Sequence, residues 1–483
     1  MTKGIPQIKI PIRKDELTIE AVEPYLDTIF KQFESNAKKI KDGYDKYCLG
    51  HDILNKTRKH SDTDINNIIL VPDLKAMVDW KTGYVFGNPI KYAQSKTNET
   101  DDINYLNKYV RSARQRAVDK EVGKWAYATG VGHYFIEPKS AEFDLETDAP
   151  YVLYHRDSDT CTKVYSAFGA NECLFDILYT EYDEIVKGLK NKVRVLDIYF
   201  ERYLYTYKND VGKWVRTKTQ DRGLSKPLPL VEKRFNSDGI GIVAMGEYLQ
   251  YAVDNLLSNG MDNVEDIVNE IFVYKNVNLG KTPEEQANKH RKMKKSGAII
   301  LNGGSKDNPP SVDTISTKLS LAEVRELFSI IDGKFHSTLG VPMEMSNTNS
   351  GNTTKSGSEV ANGYDNAYNR ALDDINTMII ADTELLDKIM WICKNTAGNK
   401  INNLATSEIE IKYSLNLTDN ILTKTQSYVN LVQTGVPPAI ALRLCKLSND
   451  PESEGKLIEQ HMLTMKQAEA QSQPQPQDNN SQE

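Results

Sequence analysis

The sequence lacks the patterns that mark zinc-binding, secreted and membrane-spanning proteins. Its five cysteines form no CxxC pair and do not cluster with histidine, which argues against a structural zinc site and indicates free thiols in a reducing compartment. The opening stretch MTKGIPQIKIPIRKDE has no unbroken apolar core of a signal peptide, and no apolar run approaches the ~20 residues that cross a bilayer. We therefore expect a cytoplasmic setting.

Enzyme signatures are also missing. The chain has no GxxxxGK[ST] phosphate loop and no HExxH zinc motif. Gly239, Gly241 and Gly246 precede a predicted helix, but their spacing is not GxGxxG, and we interpret them as a flexible joint and a helix start. His133 and His155 lie in strand-like runs without a catalytic partner, so we expect them to be packed rather than catalytic. No catalytic residue, metal ligand or cofactor is predicted.

The acidic charge balance restricts the possible partners. A formal net charge of −7 argues against a general nucleic-acid coat, because neutralising phosphates requires an excess of Lys and Arg. The length of 483 residues is enough for two or three domains with large cores.

Three long amphipathic helices dominate the second half of the chain. Apolar residues recur at steps of three and four over 241–271, 319–340 and 358–396. The last two helices are separated by the polar stretch PMEMSNTNSGNTTKSGS, residues 342–358. This pattern predicts a mobile tip held between rigid helices, which suits a machine part better than an enzyme pocket.

The remaining segments predict an α+β protein that is predominantly helical. Residues 16–47 and 101–128 have helical spacing, and 67–92 read as a short buried strand that becomes a helix. Tyr-rich runs over 127–207 predict an antiparallel sheet. The insert at 272–318 has two strand-like runs, FVYKNVNL and GAIILNG, around a basic helix. A strand at 408–417, two short helices and a polar tail complete the chain.

Two charged clusters are candidate sites. Acidic residues at helical spacing on the first long helix are Asp254, Asp262, Glu265, Asp266 and Glu270. They fit a metal or acid–base cluster, a solvated face or, repeated around a ring, an acidic tube. The basic cluster of the insert comprises Lys289, His290, Arg291, Lys292, Lys294 and Lys295. It fits a solvated face or a contact with nucleic acid or an acidic partner, but without interleaved aromatics base stacking is not expected.

Three ordered segments resemble the portal proteins of tailed bacteriophages of the siphophage type. These are MVDWKTGYVFGNPIKY (77–92), WAYATGVGHYFI (125–136) and GEYLQYAVDNLLSNGMDNVEDIVN (246–269). The likeness runs from about residue 20 to 465. Leu228–Val231 depart from the Pro-aromatic strand that many relatives have before an Asn.

The resemblance implies a portal fold with named parts. These are a wing (1–235), a stem helix (236–271), a clip (272–318), a second stem helix (319–340), a tunnel loop (341–357), a long wing helix (358–400), a crown (401–465) and a disordered tail (466–483). It also implies a ring of identical chains, typically twelve, at one capsid vertex of the virion, assembled in the host cytoplasm.

The same resemblance implies partners but no enzymatic activity or cofactor. Double-stranded DNA would pass through the ring without sequence recognition. The terminase large subunit, then a head-completion adaptor, would dock at the clip, and scaffolding and major capsid proteins would meet the wing. No membrane is involved.

Site residues follow from these parts. At the narrowest point of the channel we expect Met345, Ser346, Asn347, Thr348, Asn349, Asn352, Thr353, Thr354 and Lys355, with Lys334 as a further phosphate contact. The acidic residues Asp254, Asp262, Glu265, Asp266 and Glu270 would line the stem and repel phosphate. Docking at the clip would use Lys289, Arg291, Lys292, Lys294 and Lys295, and clip strands would pair between subunits.

Two alternatives belong to other classes. One is a structural ring of another virion part, such as a tail or baseplate, which a bore wide enough for duplex DNA would distinguish. The other is a metal-dependent DNA-processing enzyme, which a magnesium-dependent cleavage assay would reveal.

Overall fold

The structure is a computed structural model with helices and strands in one chain, and 52% of it is helical. It describes residues 4–57, 66–94, 101–140, 143–169, 171–186, 189–210, 212–223, 226–268, 271–296, 303, 308–315, 321–342, 357–401, 403–416, 421–445, 447–448 and 451–472. Within these ranges no helix combines the length and hydrophobicity that a membrane crossing requires.

A six-stranded sheet forms one side of the N-terminal half. Its strands, in spatial order, are β1 (Ile8–Ile10), β5 (Cys161–Ser166), β6 (Cys173–Val186), β7 (Leu189–Tyr199), β8 (Tyr203–Asp210) and β9 (Lys213–Asp221). All neighbours are antiparallel except β1 and β5. Helices α1 (Ile19–Val22) and α2 (Leu26–Tyr47) cover one face, where Phe30 packs against Tyr179 and Trp214.

A second, three-stranded sheet lies against the longest helix. Its order is β10 (Leu230–Arg234), β3 (Val131–Pro138) and β4 (Tyr151–Arg156). The C-terminal half of α9 (Gly357–Lys394) packs on it through buried apolar residues that include Leu385, Leu386 and Ile389. Helices α4 (Asp101–Ser112) and α5 (Gln115–Thr129) complete this core. The predicted single helix over 101–128 is therefore two helices, which separate at Arg114, a residue with a left-handed φ of 53°.

Two of the long helices meet next to α3 (Asp73–Phe86). They are α6 (Ile242–Val268) and α8 (Leu321–Leu339), and Ile242, Val243, Phe335 and Leu339 share one buried cluster with Leu74. Between them, β11 (Ile271–Lys275) pairs with β12 (Ser311–Ile315), and α7 (Pro283–Ser296) lies within the insert. The second strand of the insert is thus 311–315. The predicted strand GAIILNG falls almost wholly outside the described residues.

The C-terminal region adds a small sheet and three helices. β13 (Ile409–Lys412) pairs with β2 (Lys91–Gln94), and α10 (Ile421–Gln433), α11 (Pro438–Cys445) and α12 (Pro451–Ser472) follow. The last helix continues to Ser472, past residue 466 where the disordered tail was expected to begin.

The strand predicted after residue 67 does not form. Residues 66–72 are extended but pair with no strand among the described residues. Their backbone groups bond instead to side chains of α6, which is the central feature of the candidate site.

Candidate functional site

Helix α6 carries a buried polar row along one side. Gln250, Asp254, Ser258 and Asp262 follow one another at steps of four residues, and each is at most 2% exposed. Residues four apart lie on the same face of a helix, so the row is a straight line of acceptors nearly parallel to the helix axis. Burying such groups is costly unless each finds a hydrogen-bond partner.

The partners come from the extended segment 66–72 and the first turn of α3. The backbone N–H of Asn67 donates to Asp262 (2.7 Å), that of Ile69 to Ser258 (2.9 Å) and that of Val71 to Asp254 (3.0 Å). The N–H of Leu74, in the first turn of α3, donates to Gln250 at 3.1 Å. Four helical residues rise about 6 Å and two extended residues about 6.6 Å, so every fourth residue of α6 lies beside every second residue of the segment. The α6 side chains therefore accept the backbone hydrogen bonds that a neighbouring strand would otherwise accept.

Two side chains close the row from the segment before residue 58. His51 Nδ1 lies 2.9 Å from Asp254 Oδ2, and Lys56 Nζ lies 2.8 Å from Asp262 Oδ2. Desolvation alone would raise the pKa of Asp262, but the hydrogen bonds from Lys56 and Asn67 outweigh it and lower the pKa below its ordinary value. Residues 51–57 and 66–74 thus hold the first long helix with both charge and backbone bonds.

The predicted acidic channel face is wrong for two of its residues. Asp254 is 0% and Asp262 2% exposed, and both point into the chain. Glu265 is half-buried, and the side chain of Asp266 and the whole of Glu270 lie outside the described residues. From the sequence alone, acidic residues at helical spacing are expected to lie on a solvent-exposed helix face. The segment that covers them lies 183 to 195 residues earlier in the chain. The sequence feature that could have indicated this burial is the four-residue spacing of the polar residues Gln250, Asp254, Ser258 and Asp262.

The opposite side of α6 is exposed and uncharged. Among its described side chains the exposed ones are Met245, Tyr248, Tyr251, Asn259, Met261 and Val264. Tyr248 is 70% and Tyr251 47% exposed. On α8, Leu327 (48%) and Ile330 (55%) are exposed as well. Exposed apolar residues that run along two neighbouring helices are typical of a protein-binding surface.

The predicted tunnel-loop residues Met345–Asn349 and Asn352–Lys355 lie outside the described residues. The structure does describe where the loop begins. Arg370 of α9 donates to the carbonyl of Thr338 at 3.0 Å, and Gly340 follows α8 with a left-handed φ of 69°. Lys334 is exposed on the last turns of α8.

The basic helix of the insert forms as predicted. The N–H of Glu285 donates to Thr282 Oγ1 at 3.3 Å, which caps the start of α7. Lys289, Arg291 and Lys292 are exposed, and Lys289 Nζ donates to the carbonyl of Asn278 at 2.9 Å. The side chains of Lys294 and Lys295 are outside the described set. β11 and β12 pair with each other within the chain.

One buried arrangement has the composition of a hydrolase triad. His133 Nδ1 lies 3.0 Å from Ser158 Oγ, and His133 Nε2 lies 3.4 Å from Glu232 Oε2. Ser158 is 0% and His133 2% exposed. The arrangement therefore joins the paired strands β3 and β10 to the turn before β5, and His133 is packed as expected. His155, also expected to be packed, is instead 41% exposed.

A buried ionic cluster lies between α5, β10 and α9. Lys233 Nζ is 2.6 Å from Asp382 Oδ1, and Tyr134 donates to Asp119 at 3.0 Å. Burial raises the pKa of Asp119 to about 7, an effect that Lys233 opposes and Asp382 increases. All four side chains are at most 3% exposed, so the cluster is structural.

The chain is similar to proteins of known type. The family model described as "Phage portal protein, SPP1 Gp6-like" matches residues 26–474. The portal protein of Bacillus phage SPP1 is 23% identical over 358 residues, an alignment that covers 67% of this chain and 64% of that protein. The alignment thus spans less than two thirds of that relative's length.

Two solved structures are similar over most of the chain. One is a chain from the neck of an empty GTA particle (TM-score 0.40, 14% identity, 75% of this chain and 85% of that chain). The other is from the virion of a native gene transfer agent particle (TM-score 0.40, 13% identity, 77% and 88%).

Proposed function

We propose a portal function for this chain, which belongs to the SPP1 Gp6-like family of phage portal proteins. Identical copies close into a ring at one capsid vertex of the virion, and double-stranded DNA is packaged and ejected through its centre. The ring carries no motor of its own. A terminase large subunit docks during packaging and a head-completion adaptor replaces it afterwards, while scaffolding and major capsid proteins meet the outside.

The parts of the ring are assigned by the order of the elements. Residues 236–271 and 319–340 form the stem, with 272–318 as the clip and 341–357 as the tunnel loop. Residues 1–235 with 358–400 form the wing, and 401–465 form the crown. The exposed cations Lys289, Arg291 and Lys292 of the clip face the motor or the adaptor.

One observation supports ring closure above the others. The exposed apolar residues lie on two different helices of one chain, α6 and α8. A contact between different surfaces is heterologous, and heterologous contacts produce rings when the rotation closes. We therefore pair the α6 surface of one copy with the α8 surface of the next.

This contact changes the role of α6 that the sequence predicted. Asp254 and Asp262 hold the helix in its own subunit, and the uncharged side of α6 faces a neighbouring copy. Weak DNA binding in the channel then depends on the net charge of −7 per chain, multiplied around the ring, which disfavours phosphate.

Two variants test the heterologous contact. We expect Tyr251→Glu and Ile330→Glu each to be monomeric, because each places a charge in every subunit contact. Mixed in equal amounts, they should form a dimer and nothing larger, since each chain retains one intact surface. Val152→Glu, a substitution at a residue that is 45% exposed on β4, is the matched control and should leave the rings unchanged. Higher oligomers of either variant alone would contradict the assignment.

A further inference from the structure

An acidic pocket lies beside the first long helix, next to the start of its polar row. Its volume is about 250 Å³, and its lining residues include Lys46, His51, Asp52 and Glu247. Lys46 Nζ is 3.2 Å from Glu247 Oε2. It is also 3.2 Å from Asp42 Oδ2 and 3.5 Å from Asp52 Oδ2. Three carboxylates therefore share one ammonium group, and the cluster keeps an excess of negative charge.

The ionisation of Lys46 agrees with that excess. Desolvation lowers the pKa of Lys46, but the hydrogen bonds to Glu247 and Asp42 and the charges of these carboxylates outweigh it and raise the pKa above its ordinary value. A second cation can approach from solvent, because the side chain of Asp52 is 65% exposed and that of Glu247 is 20% exposed. The pocket thus favours a further positive charge at its open side.

His51 contributes a buried polar atom without a partner to the same pocket. Its Nδ1 lies 2.9 Å from Asp254 Oδ2, and its Nε2 is buried with no hydrogen-bond partner among the described residues. Because an ionised carboxylate only accepts, Nδ1 carries the hydrogen, and Nε2 of the neutral ring is an acceptor. An unpaired buried acceptor costs free energy. A lysine ammonium group supplies three donors together with positive charge, so it suits both the carboxylates and the ring.

The pocket opens on the side of α6 that faces away from α8. A Cβ atom at Gly246 would lie 3.4 Å from Leu339 Cδ1 and 3.5 Å from Phe335 Cζ, so Gly246 faces α8. Successive residues of a helix are about 100° apart, which places Tyr251 about 140° from Gly246 around α6. Tyr251 lines the pocket and is 47% exposed. The pocket therefore adjoins the α6 surface that we assign to a neighbouring copy.

Lys334 is a matching cation on α8. Leu327, Ile330 and Lys334 follow one another at steps of three and four residues, so they share one face of the helix. All three side chains are exposed. Lys334 forms no ion pair within the described part of the chain. The α8 face that carries the exposed apolar residues thus ends in an unpaired ammonium group.

Lys334 and the pocket lie at the same height. β11 follows α6, β12 precedes α8, and the two strands pair, so the two helices run antiparallel. Since Phe335 meets α6 at Gly246, Lys334 lies level with the turn that carries Glu247. A rotation about the ring axis moves no residue along that axis. In a ring whose stem helices follow the axis, Lys334 of the neighbouring copy is therefore level with the pocket.

We propose that Lys334 of one copy enters the acidic pocket of the neighbouring copy and pairs there with Asp52 and Glu247. The inference rests on the proposed ring and adds a charged end to the apolar contact between α6 and α8. Complementary charge at the edge of an apolar contact fixes which residues meet. Lys334, which the sequence suggested as a phosphate contact, then has a carboxylate partner instead, and its charge is withdrawn from the channel.

Zero-length crosslinking tests the pair. A carbodiimide joins a lysine amine directly to a carboxylate, so assembled rings should yield peptides in which Lys334 is linked to Asp52 or Glu247. Rings made from an equal mixture of isotope-labelled and unlabelled chains show whether the link joins two copies, because such links include peptide pairs of mixed label. Lys334→Arg is the matched control. It keeps the charge but has no reactive amine, so rings should form and this crosslink should disappear.

Charge exchange tests the contact independently. Lys334→Glu and Asp52→Lys each bring like charges together and should raise the protein concentration at half-assembly about three- to tenfold. The double variant restores opposite charges and should recover most of that loss. Arg325→Glu makes the same change in charge at an exposed position about half a turn around α8 from Lys334, and it should leave assembly unchanged. Circular dichroism first checks that every variant folds like the wild type.

The outcomes separate this inference from the proposed function. Rings in which Lys334 gives no crosslink of mixed label, or a double variant that assembles as poorly as the single variants, would overturn the inference and leave the proposed function standing. A wild-type chain that forms no ring would overturn both.

Discussion

The backbone N–H of Val71 donates to the carboxylate of Asp254 at 3.0 Å, although the two residues are 183 positions apart in the chain. Asp254 also accepts from the Gln250 amide at 3.0 Å and contacts His51. This one buried carboxylate ties the extended segment 66–72 and residue 51 to the first long helix.

Removing that carboxylate tests the polar row. We expect Asp254→Ala to lower the free energy of unfolding by about 3 kcal/mol, because it leaves the N–H of Val71 and the Gln250 amide unpaired in a buried site. Asp254→Asn retains an acceptor oxygen and should cost about 1 kcal/mol. Urea unfolding at one fixed protein concentration measures both. Asn259→Ala, on the exposed side of α6, serves as the control. Equal and small effects of both Asp254 variants would show that the row does not hold the helix.

The buried pair of Lys233 and Asp382 gives a second prediction. Lys233→Met leaves Asp382 without its cation, with Tyr413 as its one remaining donor among the described residues, and should cost about 3–5 kcal/mol. Replacing both partners, by Lys233→Met with Asp382→Leu, should recover much of that loss, because a buried ion pair barely repays its desolvation. Thermal unfolding of the two variants and the wild type makes the comparison. A double variant no more stable than the single one would contradict this.

Asp119 makes stability depend on pH. Its pKa is about 7 in the folded chain and 3.8 as an ordinary value, so the folded state binds the proton more tightly. This group therefore stabilises the fold in acid, and its contribution declines by about 3 kcal/mol as pH rises from about 4 to about 7. Asp119→Asn should flatten that part of the profile. An unchanged slope in the variant would assign the effect to another group.

The contribution of Glu232 to stability has the opposite pH dependence and is lost in stronger acid. The first effect on it is desolvation, which would raise its pKa, but Arg234 and His133 outweigh it and lower the pKa from 4.5 to about 2. Stability from this group is complete above pH 4.5 and declines as pH falls towards 2. Glu232→Gln should remove this acid-side loss in pH-dependent unfolding. A variant that keeps the full loss below pH 4.5 would contradict the assignment.

Deletion of residues 346–354 tests the tunnel loop. We expect rings to assemble normally, because the described contacts of α8 and α9 end before and begin after this stretch, whereas packaging or retention of DNA should fail. Assembly is measured by mass, and packaging by DNA protected from nuclease. Normal packaging by the deletion variant would remove the proposed role of the loop.

Periodicity in the sequence predicted the helices and strands better than it predicted which parts of the chain they contact. The apolar stripe of α6 and the cap of α7 at Thr282 follow from local chemistry, which explains why both helices form where expected. The burial of Asp254 and Asp262 does not follow from local chemistry. It depends on a segment nearly two hundred residues earlier, whose own sequence pattern resembled a strand. The parallel pairing of β1 with β5 likewise joins residues far apart that no local pattern links.

Ring closure is the central claim, and the mass of the purified oligomer together with a low-resolution image tests it most directly. We predict a single closed ring of identical chains whose bore admits a DNA duplex. A protein that remains monomeric at every concentration, or a ring whose opening is too narrow for a duplex or lined by cations, would contradict the account.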